Sequence, residues 1–300
     1  MKILYLTTID PKSQGDFQEV TMLHGLRSIL GNSCIDHPRK KVLYRDFSET
    51  NETELHGYGF TLYTKPIMEI DDNLRKNLSD IDFILYGVTN AYGINDFSEI
   101  NQLSKNIWYL DGHDHPSISK TPCFKRELFT EQKNVYPTGF GIPHYQIRPL
   151  NFNRKQLYQK TAPPYSLFGT QILGLDARAK YIYTNEKDYY DDMYNSWFGL
   201  TCKKGGWDSL RHYEILASGA CLLFRDYDKK PPLCSPQNLP CFSYSTKEEL
   251  NYLMNKLILN NKPTEEYYDM VFKQREWLLK YGTTESRAVE VIKNMLKNKQ

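Results

Sequence analysis

Short apolar runs recur along this chain and alternate with segments of helical periodicity, and that alternation is what most limits the fold. KILYLTT, IDFILYGV, NIWYLDG, FGLTCKK and ACLLFRD have the length and apolar density of buried strands. Between them lie helical patterns. Residues 17–30 place Val20, Leu23, Leu26 and Leu30 on one face before Gly31, and DDNLRKNLSD, NDFSEINQLSK, KDYYDDMYNS and DSLRHYEILAS follow suit. Strands alternating with helices pair in parallel, because each crossover helix returns the chain to the same end of the sheet. KKVLYRD and AKYIYTN are expected as further strands, and CFSYS as a late one before the helix TKEELNYLMNKLILN.

The alternation stops from about Pro149 to Tyr165, where NFNRKQLYQKTAPPY carries polar residues and a Pro pair. With 300 residues, and about 100–200 residues per domain, we divide the chain into residues 1–155 and 156–300. The expected fold class is α/β, two Rossmann-like domains facing across a cleft. Ligands of open parallel sheets bind beyond the carboxyl ends of the strands, so the strand-to-helix loops are where chemistry belongs. The closing segment KQREWLLKYGTTESRAVEVIKNML reads as an amphipathic helical hairpin. Its apolar face is expected to pack on the second domain, with a crossing back to the first, and not on a membrane, because its polar face mixes both charge signs.

Charge and cysteine usage exclude several classes. Lys and Arg total 38 against 36 Asp and Glu, a net +2, which supplies no basic field for nucleic acid. No apolar run approaches the roughly 20 residues of a membrane span, so no transmembrane segment is expected. The six cysteines are scattered without a CxxC pair, which fits neither a zinc knuckle nor a disulfide framework and leads us to expect a cytoplasmic protein. The 23 tyrosines suit wet, amphipathic clefts as well as core.

Two segments carry candidate chemistry. In FGLTCKKGGWDSLRHYEILASGACLLF a strand runs into Lys203 and Lys204, Gly205 and Gly206 turn the chain, and Asp208 or Ser209 caps the next helix. Two ammonium groups beside helix N–H groups form an anion site suited to a diphosphate. Arg211 and Glu214 share a face one turn on, where a carboxylate can accept from ribose hydroxyls. The plainer alternative is an ordinary strand–turn–helix with an Arg–Glu pair.

The second segment is NIWYLDGHDHP. Asp111, His113 and His115 at a strand end offer a general base with an orienting carboxylate. Alternatively they offer two ligands of a metal shell, or a polar loop in which Asp114 caps a helix. No second metal motif accompanies them. Three weaker candidates complete the set. Lys125-Arg126-Glu127 reads as a solvated face, with an acceptor phosphate contact as the sharper option. The aromatic run EKDYYDDMYNSWFG reads as core plus surface, or as a sugar platform. Asp226, Asp228, Lys229 and Lys230 would border the second site.

The stretch KKGGWDSLRHYEILASGACLLFRDYDKKPP resembles the donor-binding region of GT-B-fold glycosyltransferases, in particular the exostosin-like and family-4-like branches. Arg211, Glu214 and Gly219 fit their R-x-x-E-x-x-x-x-G pattern. The resemblance implies a glycosyltransferase, hexosyl- or pentosyl-, that uses a nucleotide-diphospho-sugar and needs no cofactor or metal. It places Glu214 on the ribose and Lys203 or Lys204 on the diphosphate. That family's paired acid would fall at 206, where this chain has Gly206, and Asp208 is the expected substitute. SQGDFQEVTMLHGLRSILGN is similar to the family's first loop and helix, which implies that Gly15 lets the backbone approach donor sugar or acceptor. The same resemblance puts a histidine, His113 or His115, beside the donor sugar. The acceptor, whether glycan, lipid, protein or nucleic acid, is not encoded. Two rival functions remain at this point: a metal-dependent hydrolase centred on Asp111, His113 and His115, and a non-catalytic glycan-binding module.

Overall fold

The computed structural model describes residues 1–7, 17–44, 60–61, 72–76, 78–88, 100–158, 160 and 182–299. Strands β1 (Ile3–Leu6), β2 (Cys34–His37), β3 (Phe83–Val88), β4 (Ile107–Asp111), β5 (Cys123–Lys125) and β6 (Val135–Pro137) form one sheet in the order β2-β1-β3-β4-β5-β6. Every pair in it is parallel. A second parallel sheet runs β10-β9-β8-β7 and contains β7 (Gln156–Tyr158), β8 (Ser196–Cys202), β9 (Cys221–Arg225) and β10 (Phe242–Tyr244).

Strand β1 of the first sheet and β8 of the second are buried along their whole length, as interior strands of a parallel sheet are. Helix α1 (Phe17–Leu30) lies where the leucine spacing put it. It stops at Gly31, whose φ of 54° is open to glycine at little cost. The short α2 (Asp72–Lys76) packs near β2. In the second half α3 (Glu186–Tyr194) and α4 (Leu210–Ser218) flank β8. Gly219, at φ 74°, ends α4 in the left-handed conformation. Helices α5 (Lys247–Leu257) and α6 (Glu265–Trp277) cover the other face, where Tyr267 and Val271 join Phe198 and Leu223 in one core.

The last helix, α7 (Thr284–Lys297), leaves the second half and packs on α1. Ala288, Val291 and Met295 belong to the core of the first sheet, and a Cβ at Gly25 would stand 3.0 Å from that of Ala288. The hairpin expected from the sequence is therefore split between the two halves. A five-residue π turn, Leu278–Gly282, makes the bend.

Four local expectations are corrected. The second strand is Cys34–His37, not KKVLYRD, whose Lys41–Leu43 form a 3-10 turn. Asp36 breaks the apolar pattern of the true strand, yet it is buried because Arg75 at 2.6 Å and the Tyr44 hydroxyl at 2.7 Å hold one carboxylate oxygen. Of AKYIYTN, residues 182–185 are irregular and 179–181 lie outside the described residues. Of NDFSEINQLSK, Ile100–Leu103 is a 3-10 turn, and 95–99 lie outside the described residues. The polar stretch after Pro149 contains strand β7, anchored by Arg154, whose guanidinium donates to the backbone oxygens of Tyr194, Ser196 and Gly219.

Candidate functional site

The loops that follow β4, β5 and β8 leave the carboxyl ends of their sheets and meet. The turn Gly205-Gly206 after β8 lies against the side chains of Asp114 and Glu127. A Cβ on Gly206 would overlap the Glu127 carboxylate and stand 3.0 Å from Asp114 Oδ1. Neither glycine is among those with positive φ, so close approach, and not a left-handed turn, is what demands glycine here. The two segments that the sequence singled out separately are thus brought together.

Arg126 stitches them. Its guanidinium donates to Asp208 O and to Gly112 O, each at 2.7 Å, and pairs with Asp114. Glu127 accepts from the backbone N–H of Asp208 at 3.1 Å. Lys125, Arg126 and Glu127 are all buried, which overturns the solvated face expected for them. Burial raises the pKa of Glu127, while backbone N–H groups of Trp207 and Asp208 oppose the shift.

On the first sheet's side, Asp111 Oδ1 lies 2.8 Å from His113 Nδ1 and 2.8 Å from Lys125 Nζ. The Lys125 ammonium is fully buried and also reaches His113 O at 3.3 Å. With Nδ1 donating to a carboxylate, Nε2 of a neutral His113 carries the lone pair; the tautomer follows from this bond. His115 stacks near His113 with ring centroids 4.9 Å apart, and its Nδ1 pairs with the Ser117 hydroxyl. Both His115 and Asp114 are exposed. Among the described residues no group of three His, Cys, Asp or Glu side chains is placed to hold a metal ion.

On the other side, Lys203 and Lys204 are exposed, with Lys203 Nζ 5.3 Å from the centre of the Trp207 ring. Ser209 occupies the N-cap position of α4 but makes no side-chain capping bond. Asp208 is buried, and its carboxylate accepts from Phe140 N at 2.8 Å and from the Tyr213 hydroxyl at 3.0 Å. Burial raises its pKa, and Arg126 and Arg287 work against that rise. Lys230 is half-buried near Asp208 and Glu127, and burial lowers its pKa. Its ammonium is held by the backbone oxygens of Cys234 and Pro231, at 2.5 and 3.0 Å. Lys229 instead pairs with Asp226 at 2.6 Å on the surface.

Glu214 is buried one turn into α4. One carboxylate oxygen accepts from the Tyr189 hydroxyl, the other from the Thr61 hydroxyl, with Tyr190 at 3.5 Å. The Arg211 guanidinium lies over the Tyr189 ring, 5.9 Å from its centre. Thr61 comes from the first half of the chain, and its backbone N–H donates to Glu186 at 2.8 Å. Gly15 lies outside the described residues. The sequence reading missed Thr61, which sits in no motif, and it read Arg126 as part of a solvated face or an acceptor phosphate contact, not as the link between the two loops. Tyr189 and Tyr190 were placed in the aromatic run, but not on Glu214.

Comparison with solved structures decides the fold type. Over 99% of this chain and 98% of the other, the structure is similar to AviGT4, described as a glycosyltransferase involved in avilamycin A biosynthesis, with TM-score 0.52 and 10% identity. It is also similar to the N-terminal domain of trehalose-6-phosphate phosphatase from Candida albicans, with TM-score 0.55 and 10% identity over 99% and 96% of the two chains. The fold is of GT-B type. No protein-family model matches the chain, and no curated protein matches it in sequence. The crossing of α7 back to the first sheet ties the two halves at His24, whose Nδ1 lies 2.8 Å from the Thr284 hydroxyl. No described helix is long and apolar enough to cross a membrane.

Proposed function

We propose that this chain is a glycosyltransferase that moves a sugar from a nucleotide-diphospho-sugar to an acceptor hydroxyl. The observation that carries this reading is the meeting of the His113-bearing loop with the Gly205-Gly206 turn at the carboxyl ends of two parallel sheets. That is where open α/β sheets bind ligands, and a GT-B fold shared with a protein described as a glycosyltransferase agrees with it.

In this reading Lys203, Lys204 and the uncapped start of α4 take the diphosphate. Their positive charge stabilises the leaving group as its bond to the anomeric carbon breaks, with no metal required. Gly205 and Gly206 let the turn seat against Asp114 and Glu127, Ser209 at the helix start is assigned to the phosphates, and Asp208 holds the turn through Phe140 and Tyr213. Glu214 receives the ribose hydroxyls in place of Thr61, with Arg211 and Tyr189 supporting it. His113 Nε2 takes the proton of the acceptor hydroxyl as its oxygen bonds to the anomeric carbon. Asp111 orients the imidazole, and His115 lies beside it. The reaction would take place in the cytoplasm.

The test is release of nucleoside diphosphate from a panel of sugar nucleotides, read by chromatography in the presence of EDTA. Release that depends on His113 supports the reading; a protein that turns over none of them and binds none removes it.

A further inference from the structure

The roles above leave the transferred sugar without a protein contact. At the junction of the two halves, two buried side chains carry polar atoms without a hydrogen-bond partner among the described residues. Gln18, in the first turn of α1, is 2% exposed. Its amide nitrogen donates to Gly139 O at 3.3 Å, but its Oε1 has no hydrogen-bond partner among the described residues. Thr138, directly before Gly139, is 1% exposed. Its backbone is fully used: N–H donates to Lys125 O at 3.0 Å and the carbonyl accepts from the Ser235 hydroxyl. Its Oγ1 has no partner among the described residues. Buried polar atoms are nearly always hydrogen-bonded, and each exception needs a reason. Here two orphans flank one contact.

Their position supplies the reason. Thr138 comes immediately after the carboxyl end of β6, and Gln18 opens the helix that follows β1. Both therefore lie where a parallel sheet receives ligand. The turn between them is pinned to the second half, since a Cβ on Gly139 would stand 2.8 Å from Ser235 Oγ and 2.9 Å from the Tyr213 hydroxyl. Phe140, the next residue, donates to Asp208. The orphans thus sit on the same seam as the diphosphate turn.

An amide carbonyl accepts only, and a threonine hydroxyl both donates and accepts. That pair suits neutral hydroxyls; a phosphate would meet the carbonyl's negative end, and an apolar group would leave both atoms unpaired. We propose that Gln18 Oε1 and Thr138 Oγ1 bind hydroxyls of a sugar ring. The inference rests on the glycosyl-transfer reading and adds the residues that recognise the sugar. An enzyme bears such orphans in the free state because ligand completes them.

The test uses the full chain with Gln18→Leu, Thr138→Val and Thr138→Ser. Binding is titrated with UDP, ADP and dTDP and their glucose esters, with GDP and its mannose ester, and with methyl α-D-glucopyranoside added both to the free protein and to diphosphate-saturated protein. The sugar ester is expected to bind wild type more tightly than its bare diphosphate. Gln18→Leu and Thr138→Val should reduce that difference by about tenfold, with diphosphate affinity unchanged; Tm should hold or rise in Thr138→Val and fall in Gln18→Leu, which also removes the donor to Gly139 O. Thr138→Ser should restore the difference. If the difference persists in the variants but glucoside binding is lost, the hydroxyls belong to the acceptor and the inference stands. A lowered Tm with sugar and glucoside binding unchanged makes both residues structural and overturns it. Failure of every diphosphate to bind removes the glycosyl-transfer reading instead. Glucoside binding that the variants abolish would then keep the sugar contact alone, and its absence would end both.

Discussion

Gly206 and Glu127 lie so close that no side chain fits between them: the glycine's missing Cβ is the space that the Glu127 carboxylate fills. The relationship joins the loop after β8 to the strand end of β5, and Glu127 in turn receives the backbone of Asp208. Gly206→Ala should therefore force apart two buried groups and cost about 1–3 kcal/mol, the usual range for overpacking. Gly205→Ala meets only Asp114, whose side chain is 44% exposed though paired with Arg126, so it can yield outward and should cost less, about 1 kcal/mol or under. Urea unfolding of the two variants checks the contrast.

Thr61 occupies the carboxylate assigned to ribose. If a ribose diol must displace that hydroxyl, Thr61→Val should tighten nucleoside diphosphate binding, because the competing donor is gone. Glu214→Ala should weaken binding by about tenfold or more and also cost about 1–3 kcal/mol, since the buried Tyr189 hydroxyl loses its acceptor. Calorimetric titration of both variants separates the effects. Equal affinity in all three proteins would remove Glu214 from the site.

His212 should govern part of the acid stability. It is buried in α4, with Nδ1 3.0 Å from the Thr201 hydroxyl and Nε2 3.1 Å from Trp207 O. Burial pushes its pKa from 6.5 down to about 3. The unfolded chain then binds the proton first, so the contribution is present above about pH 6.5 and is lost as pH falls toward 3. Full loss amounts to an order of 4–5 kcal/mol. Urea midpoints between pH 7 and pH 4 should fall more steeply in wild type than in His212→Gln.

His113→Ala should leave diphosphate affinity nearly unchanged while turnover falls by about 10²–10⁴, the usual contribution of a general base. The side chain is only half-buried, so the fold should survive. Asp111→Asn is a harsher change, because the buried Lys125 ammonium loses its carboxylate, and a loss of stability of about 3–5 kcal/mol should accompany it. Thermal denaturation alongside turnover assays distinguishes the two.

The alternation of apolar runs made β1, β3, β4, β8 and β9 legible, and the leucine spacing and Gly31 fixed α1. What escaped were short elements whose polar residues find buried partners. Asp36 hid β2 because Arg75 and Tyr44 neutralise it across the fold. Lys125 hid β5 because its partner, Asp111, lies on the neighbouring strand. At the site, the glycine pair and the Asp111–His113 pair were readable as local motifs. Their contact through Arg126, and the Thr61 hydroxyl on Glu214, depend on residues far apart in the chain, which spacing cannot report.

The central claim is that the seam between the Asp111–His115 loop and the 203–209 turn holds a nucleotide diphosphate. Thermal shift of the full chain with nucleoside diphosphates and sugar nucleotides, with and without EDTA, tests it most directly, because a ligand bound only to the native state raises Tm. The account expects one nucleotide family to raise Tm regardless of EDTA, and the rise to vanish when Lys203 and Lys204 are both changed to Ala. No shift with any nucleotide, together with a fall in Tm when EDTA is added, would contradict it and return the argument to a metal held by Asp111, His113 and His115.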